Sequence, residues 1–234
     1  ELIPLFEARA GRRVKTIAVG SGKALALAER GEADLVLVHS PEDEERFMAR
    51  GAGLLRRRLM YNDFVLVGPA SDPAPVRGAG DAAAAMRAIA RAGAPFVSRG
   101  DDSGTHRMER KLWRAASVEP PSGHRYVETG QGMAATLRVA SERRSYTLAD
   151  RGTFLAQRST VDLEILFEGD PALRNVYHLI VVSPRQGPRV NVEGARDLAR
   201  FLLSGPTLRR IRDFGRDRYG SALFVPEAEP AGEP

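Results

Sequence analysis

Short apolar runs recur along this chain, each separated from the next by a stretch with helical spacing, and that alternation limits the fold more than any other feature. Val14–Val19, Leu35–Val38, Tyr61–Gly68, Pro95–Ser98, His124–Glu128, Ser145–Leu148, Val161–Phe167 and Val176–Val182 read as strands. Helical patterns fall at 2–10, 23–30, 41–50, 81–92, 104–116, 131–143, 151–157, 192–203 and 206–217. Strands that alternate with helices predict α/β layers around largely parallel sheets.

A loop rich in Pro, Ala and Gly at 70–80 and the segment 168–175 bracket a middle block. A first block, a middle block and a return to the first predict two lobes with a cleft between them and hinge closure. The expected division is 1–69 plus 176–225 for one lobe and 70–175 for the other, with a disordered Pro/Glu/Ala-rich tail at 226–234. The longest apolar runs are far too short to span a bilayer. Glu1-Leu2-Ile3-Pro4 shows no signal-peptide pattern, which leaves the compartment open. With no cysteine, disulfides, thiolate metal sites and a cysteine nucleophile are excluded.

The formal charge is +5, which raises nucleic acid as a partner. The cations are nearly all Arg, however, in a chain where Ala, Gly and Pro are also frequent. Clusters such as Arg56-Arg57-Arg58 have no interleaved aromatics to stack bases, so no nucleic-acid partner is expected.

Ser98-Arg99-Gly100-Asp101-Asp102-Ser103-Gly104-Thr105-His106 joins an apolar strand to a helix carrying Met108, Leu112 and Ala116. In open α/β sheets, ligands gather at the carboxyl ends of strands. A helix opening at Ser103-Gly104-Thr105 offers free backbone N–H groups and a positive dipole end, the makings of an anion site. The Ser103 and Thr105 hydroxyls add donors, and Arg99 adds a cation with a planar fork of N–H groups. The plainer alternative stays open: Asp102 or Ser103 as an N-cap, and Arg99 paired with Asp101 at the surface. Gly20-Ser21-Gly22 and Gly130-Gln131-Gly132 are two more strand-to-helix turns of the same kind. Three such turns, spread over both blocks, fit an anion held between lobes.

Catalytic readings fare worse. His39, His106, His124 and His178 lack metal-site spacing, and neither a P-loop lysine nor Gly-x-Ser-x-Gly is present. Asp101-Asp102 would hold Mg²⁺ only with a third carboxylate, for which Asp150 is the candidate. Trp113, Met108, Tyr146 and Tyr177 read as core. No enzyme is expected.

Six blocks then carry a resemblance: Val19 through Leu25, Asp34 through Pro41, Met60-Tyr61-Asn62-Asp63-Phe64, Ser98 through His106, Glu128 through Met133, and Tyr146 through Thr153. In this order they resemble the periplasmic tungstate-binding proteins of ABC transporters, from Glu1 to about Phe224. The resemblance implies a type II periplasmic-binding-protein fold that captures tungstate, or molybdate, and delivers it to a membrane permease. It implies a periplasmic location, a monomer and no cofactor beyond the bound oxyanion. The family grips its anion with hydroxyls, backbone N–H groups and one arginine. By position these are Arg99 with Ser103, Gly104 and Thr105, and Ser21 with Gly22 on the opposing lobe; Gly130 joins them from its turn. The family opens with a strand bearing a Thr-Thr-Thr-Ser motif, and Glu1 falls just after it, so a further segment is expected upstream.

Phosphate-binding proteins share the Arg-x-x-x-Ser-Gly-Thr spacing. Phosphate still carries a proton at neutral pH and calls for a carboxylate acceptor, which Asp101 or Asp102 would supply if turned inward. A non-transport oxyanion sensor is the alternative from a different class.

Overall fold

The computed structural model describes residues 1–227. Its first elements are α1 Leu2–Ala10, α2 Ser21–Glu29, β1 Leu35–Val38, α3 Pro41–Ala49 and β2 Gly53–Gly68. There follow α4 Ala82–Ala92, β3 Phe96–Ser98, α5 Gly104–Ala115, β4 Tyr126–Glu128, α6 Met133–Glu142, β5 Thr147–Asp150, α7 Arg151–Gln157 and β6 Glu164–Phe167. The chain continues through β7 Arg174–Val182, α8 Val192–Leu202, α9 Gly205–Asp213, α10 Arg216–Tyr219 and β8 Val225–Pro226. Two compact units emerge: unit 1 is Glu1–Tyr61 with the segment starting at Val176, and unit 2 is Asn62–Asn175. The chain passes from one to the other inside β2 and β7, so the first passage precedes the loop at 70–80 where it was expected.

In unit 2, side chains alternate along β2. Phe64 and Leu66 join a cluster with Met86 and Ile89 of α4 and Leu112 and Trp113 of α5. Val65 and Val67 point the other way, into a cluster with Met133 and Leu137 of α6 and Phe154 of α7. A strand buried on both faces needs apolar residues at every position, which is why this run reads as continuous hydrophobicity. Each such side chain contributes about 1.5–3 kcal/mol by leaving water. Unit 1 repeats the scheme on β7. Leu179 and Val181 pack with Phe6 of α1 and with α8 and α9; Ile180 and Val182 pack with Leu25 of α2 and Phe47 of α3.

The expectation of mainly parallel sheets is corrected. β1 pairs antiparallel with β7, and β8 antiparallel with β2. In unit 2, β5 and β6 are both antiparallel to β2. Among the described residues, β3 and β4 form a parallel pair, with a parallel bridge from Phe96 to Tyr146. Periodicity identifies a strand but not its direction. Here only a helical crossover such as β3–α5–β4 imposes parallel pairing on adjacent strands.

Val14–Val19, expected as a strand, has no regular structure and pairs with no strand among the described residues. Tyr177, expected in the core, is half-buried, its ring tilted against His39 and edge-on to Phe224. Pro226, expected to begin a disordered tail, pairs with Met60; 228–234 lie outside the described residues. Arg56, from the arginine run, is spent internally. Its Nε and Nη2 donate to Oε2 of the fully buried Glu44 at 2.9 and 2.7 Å. No helix among the described residues is long and apolar enough to cross a membrane.

Candidate oxyanion site

β3 ends at Ser98, and the next five residues turn the chain into α5. Gly100 (φ 62°) and Asp102 (φ 55°) both lie in the left-handed region. Gly100 is required twice over, because a Cβ there would also come within 2.6 Å of Glu128 Cβ. Ser103 caps the helix, its Oγ accepting from the His106 N–H at 3.4 Å. The N–H groups of Gly104 and Thr105 in the first turn find no acceptor among the described residues. His106 is buried; its Nδ1 accepts from the Asp102 N–H at 3.0 Å, which places its proton on Nε2, 3.9 Å from Glu128 Oε1.

Arg99 is held close to this turn. Its Nη2 donates to Asp101 Oδ2, while its Nε is buried with no acceptor among the described residues. The other Asp101 oxygen, Oδ1, accepts from the Ser103 N–H at 3.2 Å. Burial pushes the Asp101 carboxyl up, but bonds from Ser103 and Arg99 outweigh it and hold the group below its usual range. The plainer sequence reading is therefore also present in the structure: Ser103 is the cap and Arg99 pairs with Asp101.

The Gly130 turn adjoins the same loop. Thr129 N–H donates to Ser98 O at 3.0 Å and Gly130 N–H to Arg99 O at 2.8 Å. Gly130 itself has φ 63°. Unit 2 thus brings Arg99, Ser103, Gly104, Thr105 and the Gly130 backbone together. Ser21 and Gly22 lie in unit 1, in the first turn of α2. Ser21 Oγ accepts from the His39 N–H at 3.1 Å, so its own hydroxyl proton remains to be donated.

Glu109 went unrecognised in the sequence. It is almost fully buried. It accepts from Ser98 Oγ (2.7 Å), Trp113 Nε1 (3.1 Å) and Tyr126 OH (2.8 Å), tying α5 to the ends of β3 and β4. Ser98 Oγ in turn accepts from Gly100 N–H at 3.2 Å. Burial lifts the Glu109 carboxyl above its usual range despite these three bonds. The available signal was a carboxylate on the apolar stripe of α5, four residues before Trp113.

The Mg²⁺ alternative loses its ligands. Asp101 is engaged by Arg99, Asp102 by Arg107 (Nη2 at 2.7 Å), and Asp150 by the Thr153 N–H at 2.8 Å. No group of three potential metal ligands exists among the described residues. A surface pocket of about 560 Å³ beside α5, walled by His106, Arg110, Trp113, Tyr126 and Glu128, does not include Arg99 or Thr105.

An arginine with an unsatisfied buried N–H beside an open helix N-terminus gathers donors that an anion would accept from. The PBP superfamily domain matches residues 1–206. The tungstate-binding protein TupA of Peptoclostridium acidaminophilum is 42% identical over 97% of this chain and 80% of its own. Among solved structures, TupA of Desulfovibrio alaskensis G20 superposes with a TM-score of 0.89 at 45% identity, covering 97% of this chain and 92% of that one. A protein described as the tungstate ABC transporter from Geobacter sulfurreducens gives 0.76 at 45% identity, covering 91% and 90%. The chain belongs to the PBP superfamily and, within it, to the family of the tungstate-binding proteins.

Proposed function

We propose that this chain is the substrate-binding component of an ABC importer, that it captures tungstate or molybdate without turning it over, and that it hands the anion to a membrane permease. The observation that carries this reading is the buried Arg99 Nε–H without an acceptor, next to the open N–H groups of Gly104 and Thr105. A buried donor left unpaired costs about 1–3 kcal/mol, which an anion accepting from it would relieve. Within unit 2, Ser103 supplies a further donor and the Gly130 turn fixes the Arg99 backbone; within unit 1, Ser21 and Gly22 offer donors at the start of α2. The protein works in the periplasm, as a monomer, with no cofactor.

Phosphate is disfavoured. The groups without a partner at the site, Arg99 Nε–H and the N–H groups of Gly104 and Thr105, are all donors. A fully deprotonated oxyanion needs donors only, whereas phosphate at neutral pH must also donate a proton.

Thermal unfolding with tungstate, molybdate, sulfate and phosphate tests the assignment. A ligand at about 100 times its Kd stabilises by about 2.7 kcal/mol, a Tm rise of a few degrees at this size. A rise at micromolar tungstate with none for phosphate supports the reading. No rise with any oxyanion refutes it.

A further inference from the structure

Asp101 places a carboxylate on the donors that the oxyanion assignment requires. One of its oxygens takes Arg99 Nη2 and the other the Ser103 N–H. Its side chain and that of Arg99 are each about four-fifths buried (21% and 19% exposed). The occupation is incomplete, because Arg99 Nε stays buried and unmatched. A carboxylate that filled the guanidinium fork would take two parallel bonds, as Asp63 does on Arg151 at 2.7 and 2.6 Å. Asp101 instead divides its oxygens between the arginine and the helix cap. The residues on either side of it, Gly100 and Asp102, both have left-handed backbone.

Resting on the oxyanion assignment, we propose that Asp101 is an affinity-setting residue of this site: its carboxylate is a built-in occupant of Arg99 and Ser103 that the incoming anion displaces. Binding then reports two events, release of Asp101 and capture of the ligand. Every ligand's apparent affinity is reduced by the same fraction, the share of molecules in which the donors are open. Asp101 thus sets a common threshold for all anions without ranking them. An anion that satisfies Nε as well as Nη2 passes that threshold by making a bond that Asp101 does not make.

Calorimetric titration of tungstate and molybdate into the unaltered chain, Asp101→Asn and Asp101→Ala tests the proposal, with unfolding curves to confirm that each variant is folded. The expected result is tighter binding of both anions to Asp101→Asn, by at least about fivefold and by the same factor for each. Asp101→Ala serves the same purpose should the asparagine variant not fold. In an Arg99→Ala background, Asp101→Asn should give a smaller gain, since only the Ser103 N–H is still occupied. Unchanged or weaker binding in the Asp101 variants overturns the proposal and makes Asp101 a support for Arg99. An equal gain with and without Arg99 also overturns it, because simple removal of a nearby negative charge would then account for the effect. If the unaltered chain binds and the variants gain nothing, only this inference falls. If neither the unaltered chain nor any variant binds either anion, the oxyanion assignment falls and this inference with it.

Discussion

Gly130 donates its backbone N–H to the carbonyl of Arg99 at 2.8 Å. This bond fixes the Arg99 backbone from a turn 31 residues downstream, while the guanidinium keeps an unmatched buried Nε. The start of the loop after β3 is therefore held twice, at Arg99 by the Gly130 turn and at Ser98 by Glu109.

Gly100 is the position where that loop tolerates least change. Alanine there would force a left-handed conformation costing about 1–2 kcal/mol and would crowd Glu128. Gly100→Ala should lower Tm by several degrees and abolish tungstate binding at concentrations that saturate the unaltered chain. Unfolding curves with and without tungstate check both effects; a variant that still gains stability from the anion would show the loop to be more pliable than its contacts indicate.

Arg99→Ala should weaken tungstate binding by at least about 2 kcal/mol, or about 30-fold, the scale of a charged hydrogen bond. Arg99→Lys keeps the charge but loses the Nε donor and the planar fork, and should recover only part of the loss. Equal affinity in all three proteins by calorimetry would remove Arg99 from the site.

Glu109 makes the stability of unit 2 depend on pH. Burial raises its carboxyl above the ordinary 4.5. A raised group favours the fold most fully below its ordinary value, and that contribution is lost as pH climbs through the raised one. Glu109→Gln removes this titration. The Tm of the unaltered chain, measured relative to the variant, should therefore fall as pH is taken upward from 4.5. A difference that stays constant with pH would contradict it.

Arg151 grips Asp63 with two nitrogens, at 2.7 and 2.6 Å, and reaches Glu168 at 2.6 Å. Its side chain and that of Asp63 are mostly buried, at 17% and 19% exposed. Arg151→Ala strands Asp63 at the start of unit 2 and should cost about 2–4 kcal/mol in urea unfolding, less than a fully buried pair because some water reaches the site. Arg151→Ala with Asp63→Asn should recover part of that loss, since the stranded charge is then gone. No recovery would mean that packing, not charge, dominates there.

Much of this molecule was legible in the sequence because it rests on local rules. The period-2 and helical patterns locate β2, β7 and α5, and Ser103-Gly104-Thr105 after an apolar strand announces an open helix N-terminus. What tertiary structure decided is whatever depends on partners distant in sequence. Strand direction came from which strands meet, so the sheets are mostly antiparallel where alternation implied parallel. Val14–Val19 alternates like a strand but pairs with no neighbour among the described residues, and a strand is completed by the hydrogen bonds of another. Glu109 looked like a misplaced charge on an apolar helix face until folding brought Ser98 and Tyr126 to it. Arg99 and Asp101 are two residues apart, so their pairing could be guessed. That this pairing leaves Nε buried and unmatched could not, because desolvation of a single N–H is set by everything packed around it.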